Sequence, residues 1–286
     1  MTGDPDKILT VSLKPYNRHG DVLNTDLRFN TDSKSKNPIL IFCHGLKGFK
    51  DWGCFPYMLE SIAEEEFFTV SFNFSYNGTG LTGSDEQEFT RLDLFAKNTI
   101  SRELDDLEDI ILFLTENAGR YDYDLNRIYL MGHSRGGGVA IIKSSQDHRI
   151  KKLVTLASVA IFDRYTDRLK KEWKDKGYIE TENTRTKQMM RFNYTYLEDL
   201  EKNRGKLDIL KAMSKIKIPT LIIHGENDLS VEFTEAQTLY DFSNKETTRL
   251  EIYKNANHTF GAEHPFKGTS NIFENVIKNI IEFLKS

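Results

Sequence analysis

The stretch "YLMGHSRGGGVA", residues 129–140, passes from apolar residues into a polar pair and then into three consecutive glycines. Glycine at this density weakens a strand or a helix, so a local requirement must keep it there. A nucleophile elbow is one such requirement: a sharp turn from a strand into a helix that exposes the hydroxyl of Ser134 above the sheet. Because G-x-S-x-G also arises by chance in a chain of this length, its surroundings must decide.

The composition is that of a globular protein with a core. Hydrophobic residues make up 38% of the 286 residues and aromatic residues 12%, which argues against disorder. The 39 basic and 43 acidic residues leave a net charge of −4, without the basic excess typical of a nucleic-acid-binding protein. No apolar run reaches the ~18 residues of a membrane span. We expect a single domain over residues 1–286 whose partners include neither nucleic acid nor a membrane.

The N-terminal residues and the cysteines suggest a cellular compartment. The stretch "MTGDPDKILTV" has no basic segment followed by an apolar core, so no secretory signal is visible. The two cysteines, Cys43 and Cys54, do not suggest a disulfide framework, and Cys43 lies within the apolar run "ILIFCHG". These features predict a cytoplasmic protein, with a trimmed leader as the alternative.

Strand and helix patterns alternate along most of the chain. Residues 7–15 and 21–29 predict a β-hairpin. Buried strands are predicted at residues 37–45 and 67–75, and further strands at residues 127–134, 150–160, 218–226 and 248–256. Helices are predicted at residues 54–66, 91–118 and 271–285, with the clearest helical period over 91–118. This alternation predicts an α/β protein with a mostly parallel central sheet covered by helices on both faces.

Residues 161–215 interrupt this rhythm, because an ordinary crossover needs only about a dozen residues. We expect this segment to form a small cap or lid. It contains 14 Lys and Arg against 10 Asp and Glu. Its seven aromatic residues are Phe162, Tyr165, Trp173, Tyr178, Phe192, Tyr194 and Tyr196. They either line a pocket for an apolar or aromatic group or form the small core of the cap.

Three polar residues follow predicted strands. The carboxyl ends of parallel strands meet at one edge of a sheet, where ligands gather. Ser134 ends one strand, Asp228 follows the strand at 218–226, and His258 follows the strand at 248–256. A serine hydroxyl is a weak nucleophile unless a neighbouring base takes its proton, which His258 could do. His264 is the alternative base, and Glu226 is the alternative carboxylate.

Four motifs carry a family resemblance: "FCHGLKGF" (42–49), "GHSRGG" (132–137), "HGENDLSV" (224–231) and "NANHTF" (255–260). With these motifs in order, the chain resembles the α/β-hydrolases from about residue 30 onwards. The resemblance implies the α/β-hydrolase fold with Ser134 as nucleophile. It also implies His258 as general base and then acid, and Asp228 as the group that orients the imidazole.

An acyl-transfer site also needs donors for the oxyanion, usually two backbone N–H groups. The first expected donor is Arg135, directly after the nucleophile and at a helix N-terminus. The second is Leu46, in the turn shaped by His44 and Gly45, although the sequence lacks the H-G-G-G form of some esterases. For the Arg135 side chain, a solvated position and a substrate-facing position both remain open.

The resemblance implies a serine hydrolase that cleaves small to medium or aromatic carboxylic esters with water. Within the insertion, the segment "EWKDKGYIETENTRTKQ" (172–188) is loosely similar in character to the short inserts of cinnamoyl- and feruloyl-esterase-like hydrolases. We expect no cofactor and no metal, because His133 and His224 fit no metal-ligand pattern.

A thioesterase, an aminopeptidase-like peptidase and a lipase of the same fold are alternatives. A non-catalytic binding protein of this fold is the alternative from another class, and such proteins typically lose a triad member. The oligomeric state stays open.

Overall fold

A computed structural model describes residues 7–286 of the chain. The signal-peptide expectation falls mostly on residues 1–6, outside the described part. The strands are β1 (Ile8–Leu13), β2 (Thr25–Asn30), β3 (Asn37–Cys43), β4 (Phe68–Phe72), β5 (Tyr123–His133), β6 (Ile150–Leu156), β7 (Tyr178–Glu182), β8 (Met189–Asn193), β9 (Thr220–Gly225) and β10 (Thr248–Tyr253). Eight of them form one sheet in the order β1-β2-β4-β3-β5-β6-β9-β10. The pairings β1–β2 and β2–β4 are antiparallel, and all other pairings in this sheet are parallel. The mostly parallel sheet predicted from the sequence is therefore confirmed.

Helices cover both faces of the sheet. They are α1 (Phe55–Glu64), α2 (Leu92–Phe95), α3 (Ile100–Glu116), α4 (Arg135–Gln146), α5 (Asp167–Lys176), α6 (Thr195–Lys202), α7 (Ile209–Met213), α8 (Phe233–Phe242) and α9 (Asn271–Lys285). The apolar residues of α1 and α9 pack together on one face, and those of α3, α4 and α8 pack on the other. The central strands are apolar on both faces because both faces are covered. None of the helices within residues 7–286 has the length and apolar character needed to cross a membrane.

The single helix predicted over residues 91–118 is wrong in one respect, because the chain forms α2 and α3 with a break between them. Thr99 has extended backbone angles and its hydroxyl accepts the N–H of Arg102 at 3.2 Å, which caps the start of α3. The Asn98 amide donates to the Glu103 carboxylate at 2.7 Å across the same turn. The apolar period continues through the break, so periodicity alone did not show it.

The segment 161–215 leaves the sheet after β6 and returns before β9, and it contains α5, the antiparallel pair β7–β8, α6 and α7. Its aromatic side chains pack mainly on one another. Trp173 is fully buried, stacks on Tyr196 with ring centroids 5.9 Å apart, and donates its indole N–H to the carbonyl of Phe192 at 2.9 Å. The small-core alternative therefore describes these rings.

Contacts outside this core attach the cap hairpin to the body of the protein. The Lys47 ammonium, in the turn after β3, donates to the carbonyl of Glu182 at 2.8 Å. The Gln188 amide donates to the carbonyl of Phe89 at 2.9 Å. These two contacts hold the turn between β7 and β8 over the carboxyl edge of the main sheet.

Candidate active site

Ser134 occupies a strained turn between β5 and α4. Its backbone has φ 55° and ψ −122°, a conformation that a non-glycine residue adopts only where its surroundings enforce it. The Ser134 N–H donates to the carbonyl of Leu156 at the end of β6, at 2.9 Å. Anchoring the turn to the neighbouring strand keeps the serine hydroxyl at the edge of the sheet.

The glycines that flank Ser134 allow close backbone approach. A Cβ atom on Gly132 would lie 2.3 Å from the carbonyl oxygen of Gly136. A Cβ atom on Gly136 would lie 2.3 Å from the carbonyl oxygen of Cys43 in β3. Both distances are far shorter than any van der Waals contact, so only glycine fits. This is the local requirement that the glycine-rich stretch indicated.

The structure brings Asp228 and His258 together at the same edge. His258 Nδ1 lies 2.7 Å from Asp228 Oδ2, while Asp228 Oδ1 accepts the backbone N–H groups of Ser230 at 2.8 Å and Val231 at 2.9 Å. Burial by itself would raise the pKa of Asp228. Hydrogen bonds from His224 and His258 instead hold that pKa below its usual value. Asp228 is thus an ionised group in a fixed orientation beside the imidazole.

Ser134 and His258 line the same cavity. No hydrogen bond joins their side chains among the described residues. In serine sites without substrate this contact is commonly long and shortens when the substrate binds. The structure therefore brings Ser134 and His258 to one cavity and places Asp228 beside His258, in the arrangement that the resemblance implied.

The other candidates are placed differently. The ring nitrogen Nδ1 of His264 accepts the N–H of Gly53 at 2.9 Å, and its ring lies against Phe49 and Trp52. Within residues 7–286 it has no hydrogen bond to a carboxylate. Glu226 is exposed. The geometry thus supports His258 and Asp228 over both alternatives.

His224 also contacts Asp228, and the sequence reasoning missed it. It is fully buried, and its Nε2 lies 3.2 Å from Asp228 Oδ2 and 2.9 Å from the carbonyl of Val231. Both neighbours are acceptors, so Nε2 carries the proton. The available signal was its spacing, since His224 is the penultimate residue of β9 and lies only four residues before Asp228.

His133 is a second histidine that the sequence reasoning did not place in the site. Its Nε2 lies 3.0 Å from the carbonyl oxygen of His258, and the two ring centroids are 4.7 Å apart. Burial, with a smaller contribution from His258, lowers the pKa of His133 to about 3. A neutral His133 thus donates to the backbone of His258 and supports the loop that carries it.

The expected oxyanion donors lie beside Ser134. Arg135 is the first residue of α4, so its N–H has no acceptor within the helix. Leu46 lines the cavity in the turn after β3, which closes with a hydrogen bond from the N–H of Gly48 to the carbonyl of Gly45 at 3.1 Å. Among residues 7–286, no turn, loop or side-chain acceptor receives a hydrogen bond from the backbone N–H of Leu46 or of Arg135. Both are therefore available to an oxyanion.

The Arg135 side chain takes neither of the two positions that the sequence left open. It is 7% exposed and forms an ion pair with Glu103, which is 1% exposed. The side chain is thus directed into the protein, and it does not line the cavity that contains Ser134. Buried charge needs a charged partner, and the partner comes from α3, far away in sequence.

A cavity of about 520 Å³ lies above Ser134. Leu46, Trp52 and Phe55 supply apolar surface to its wall. The cap contributes a polar turn, residues 183–185, and none of its seven aromatic side chains. Of the two alternatives for the cap aromatics, the pocket wall is therefore excluded for this cavity, because those rings build the core of the cap.

The strand order and the strained serine at the end of β5 define an α/β-hydrolase fold, as the resemblance implied. The BD-FAE family model matches residues 93–242, more than half of the chain. The protein belongs to this family. A model of the Dienelactone hydrolase family matches residues 205–286.

Similar proteins agree on the fold. Est1E from Butyrivibrio proteoclasticus has a TM-score of 0.68 at 16% identity, over 96% of this chain and 97% of that chain. With ferulic acid bound, Est1E has a TM-score of 0.70 at 17% identity, over 96% and 98% of the two chains. A putative hydrolase from Agrobacterium vitis S4 has a TM-score of 0.72 at 18% identity, over 97% and 99%.

A probable isoprenylcysteine alpha-carbonyl methylesterase from Oryza sativa subsp. japonica is 29% identical over 118 residues, which are 40% of this chain and 24% of that relative. The match thus spans about a quarter of the curated relative.

Proposed function

We propose that the protein is a serine esterase that cleaves carboxylic esters through an acyl-enzyme. One observation carries this proposal: a strained serine at the end of β5 shares a cavity with a histidine that an ionised aspartate orients. The family membership and the esterases among the similar proteins support it.

The chemistry follows from the roles of these groups. Ser134 attacks the ester carbonyl while His258 accepts its proton, and the backbone N–H groups of Leu46 and Arg135 stabilise the oxyanion. His258 then gives the proton to the departing alcohol. Water, activated by His258, hydrolyses the acyl-enzyme and restores Ser134. Asp228 holds the tautomer and stabilises the imidazolium in both halves of the cycle.

For the substrate we propose esters with a small to medium or aromatic acyl group. The rings of Trp52 and Phe55 offer flat apolar surface close to Ser134. Est1E, which has this fold, was solved with ferulic acid, an aromatic acid. A cavity of about 520 Å³ has the size range of small-molecule sites.

A fluorophosphonate probe tests the proposal, because it reacts only with an activated serine. The wild-type protein should be labelled, and Ser134→Ala should abolish both labelling and turnover of 4-nitrophenyl esters, a loss of about 10⁶-fold in kcat. Ser230→Ala is the matched control, since Ser230 lines the same cavity, and this variant should still be labelled. Labelling that survives in Ser134→Ala would exclude Ser134 as the nucleophile.

The alternative activities differ in the bond that is cleaved. An ester, a thioester and an anilide of the same acyl group, compared by kcat/KM, separate an esterase from a thioesterase and a peptidase. We expect the ester to be the best substrate. A properly folded wild-type protein that is neither labelled nor active would instead favour the non-catalytic binding protein.

A further inference from the structure

The turn between β7 and β8 brings a cation into the active-site cavity. Arg185 lies in this turn and lines the cavity together with Ser134 and His258. The side-chain oxygen Oδ1 of Asn183 accepts the backbone N–H groups of Arg185 at 3.1 Å and of Thr186 at 3.4 Å. With Gln188 bound to the carbonyl of Phe89, the turn is fixed before any substrate arrives.

The guanidinium of Arg185 has no protein partner among residues 7–286. It takes part in no hydrogen bond or ion pair, and its Nη2 atom is buried without an acceptor. Its central carbon lies 5.9 Å from the ring centroids of both Phe49 and Phe89, so apolar rings support one side. Of the other cap arginines, Arg164 is paired with Glu235 and Arg191 with Glu180, whereas Arg168 and Arg204 are exposed and form no ion pair among residues 7–286. A half-buried arginine normally has an anionic or carbonyl acceptor.

The remaining charges of the cavity do not neutralise Arg185. Lys47 is a second cation in the wall, and its ammonium already donates to Thr181 and to the carbonyl of Glu182. Glu263 is the one acidic residue of the described cavity wall, and it is exposed and paired with Lys267. The cavity wall beside the cap thus carries two cations, and the carboxylates of Asp51 and Glu88, which also act on His264 of that wall, form no ion pair with Arg185.

We propose that Arg185 binds a carboxylate of the substrate at a distance from the ester that is cleaved. A guanidinium presents paired N–H donors that match the two oxygens of a carboxylate. The substrate class is then carboxylate-bearing esters, such as half-esters of dicarboxylic acids. The inference rests on the proposed esterase function and narrows its substrate.

Two esters that differ only in charge test this assignment. The 4-nitrophenyl half-ester of adipic acid carries a terminal carboxylate, and its neutral analogue carries a terminal carboxamide of nearly the same shape. The measured quantity is the ratio of kcat/KM for the two esters, after subtraction of the rate without protein. Wild-type protein should prefer the carboxylate ester, by about tenfold to a hundredfold for a hydrogen-bonded charge pair.

Three variants assign the preference to Arg185. In Arg185→Gln the ratio should fall close to one, mainly through a higher KM for the charged ester, and Arg185→Lys should keep part of it. Arg191→Gln is the matched control, since Arg191 is an exposed cap arginine outside the cavity, and its ratio should equal that of the wild type. An equal rate on both esters in the wild type, or a preference that persists in Arg185→Gln, overturns the assignment and leaves the esterase proposal standing. A folded wild-type protein that hydrolyses neither ester and takes no fluorophosphonate overturns both.

Discussion

At the scale of single residues, Arg135 and Glu103 form a buried ion pair, and neither charge is stable in the interior without the other. Both side chains are almost completely buried. Removing one partner of such a pair leaves an uncompensated charge in the interior and costs about 3–5 kcal/mol. Glu103→Leu should lower the free energy of unfolding by about this amount, measured by urea denaturation.

The double variant separates the charge from the packing. Arg135→Met combined with Glu103→Leu removes both charges and keeps apolar volume, so most of the lost stability should return. Arg135→Met alone completes the cycle. If the loss in the double variant equals the sum of the losses in Glu103→Leu and Arg135→Met, the two side chains are not coupled, and the ion pair does not explain the loss.

His224 offers a second prediction at this scale. Its Nε2–H stabilises the Asp228 carboxylate at Oδ2, the same oxygen that His258 Nδ1 contacts. His224→Leu should lower kcat/KM about ten- to hundredfold, the value of one hydrogen bond to a charged group. His224→Gln keeps an N–H donor near the same place and should recover part of the activity. Equal losses in the two variants would mean that His224 acts through packing alone.

The sequence led to Ser134, Asp228 and His258 because each follows a strand, and strand ends meet at one edge whatever the details of packing. It did not lead to the side chains that support them. His133, His224 and Glu103 acquire partners only when distant segments come together, and a lone histidine or glutamate carries no periodic signal. The same holds for Arg185, whose place in the cavity depends on how the cap hairpin lies over the sheet.

At the scale of elements, apolar patterns in the sequence predicted the parallel strands, including the edge strand β10, but they did not predict the break between α2 and α3 or the strands of the cap. The break between α2 and α3 depends on the cap formed by Thr99, and the apolar period runs through it. The strands β7 and β8 have five residues each and only half of these residues are apolar, so the sequence pattern did not indicate strands there. The spacing of the aromatic residues in the cap does not distinguish residues that line a pocket from residues that form a small core.

The small core of the cap leads to a prediction on Trp173. This side chain is fully buried among Tyr165, Phe192 and Tyr196. Trp173→Ala should cost about 3–5 kcal/mol within the cap. We expect cleavage by a protease between residues 177 and 194 in this variant, while fluorophosphonate still labels Ser134.

Tyr178→Ala provides the control for Trp173. Tyr178 is half-buried and lies under the guanidinium of Arg191, 3.8 Å from the ring centroid, a contact worth about 0.5–1 kcal/mol at an exposed site. Its removal should leave the cap resistant to the protease. A cap that is equally sensitive in both variants would show that Trp173 is not its organising residue.

At the scale of the whole molecule, two buried histidines couple folding to pH. Burial lowers the pKa of His44 to about 4, and that of His133 to about 3. In neutral His44, Nδ1–H donates to the carbonyl of Gly45 at 2.9 Å and Nε2 accepts the N–H of Phe74 at 3.2 Å. Protonation of Nε2 would remove this acceptor. Both residues thus require the neutral form in the folded protein.

The sign of the pH effect follows from the protons that each state binds. The unfolded chain protonates histidine near pH 6.5, whereas the folded protein does so only near pH 4 and 3. Between these values the unfolded state binds more protons, so stability falls as the pH falls. The lowered pKa of Asp228 acts in a separate window, because its contribution is complete above the unfolded value of about 4 and disappears only below it.

The contribution of His133 can be isolated with His133→Gln, since glutamine retains an N–H donor and cannot be protonated. Glu103 and Asp106 have pKa values raised by burial and oppose the acid loss, but they do so equally in both proteins. The quantity to measure is therefore the change in unfolding free energy between pH 6.5 and 4.5, in the wild type and in the variant. This change should be smaller in His133→Gln by about 1–3 kcal/mol, from 1.4 kcal/mol per pH unit for one group. Parallel profiles in the two proteins would mean that His133 takes up a proton in the folded state, and the neutral donor assigned to the His258 loop would then be wrong.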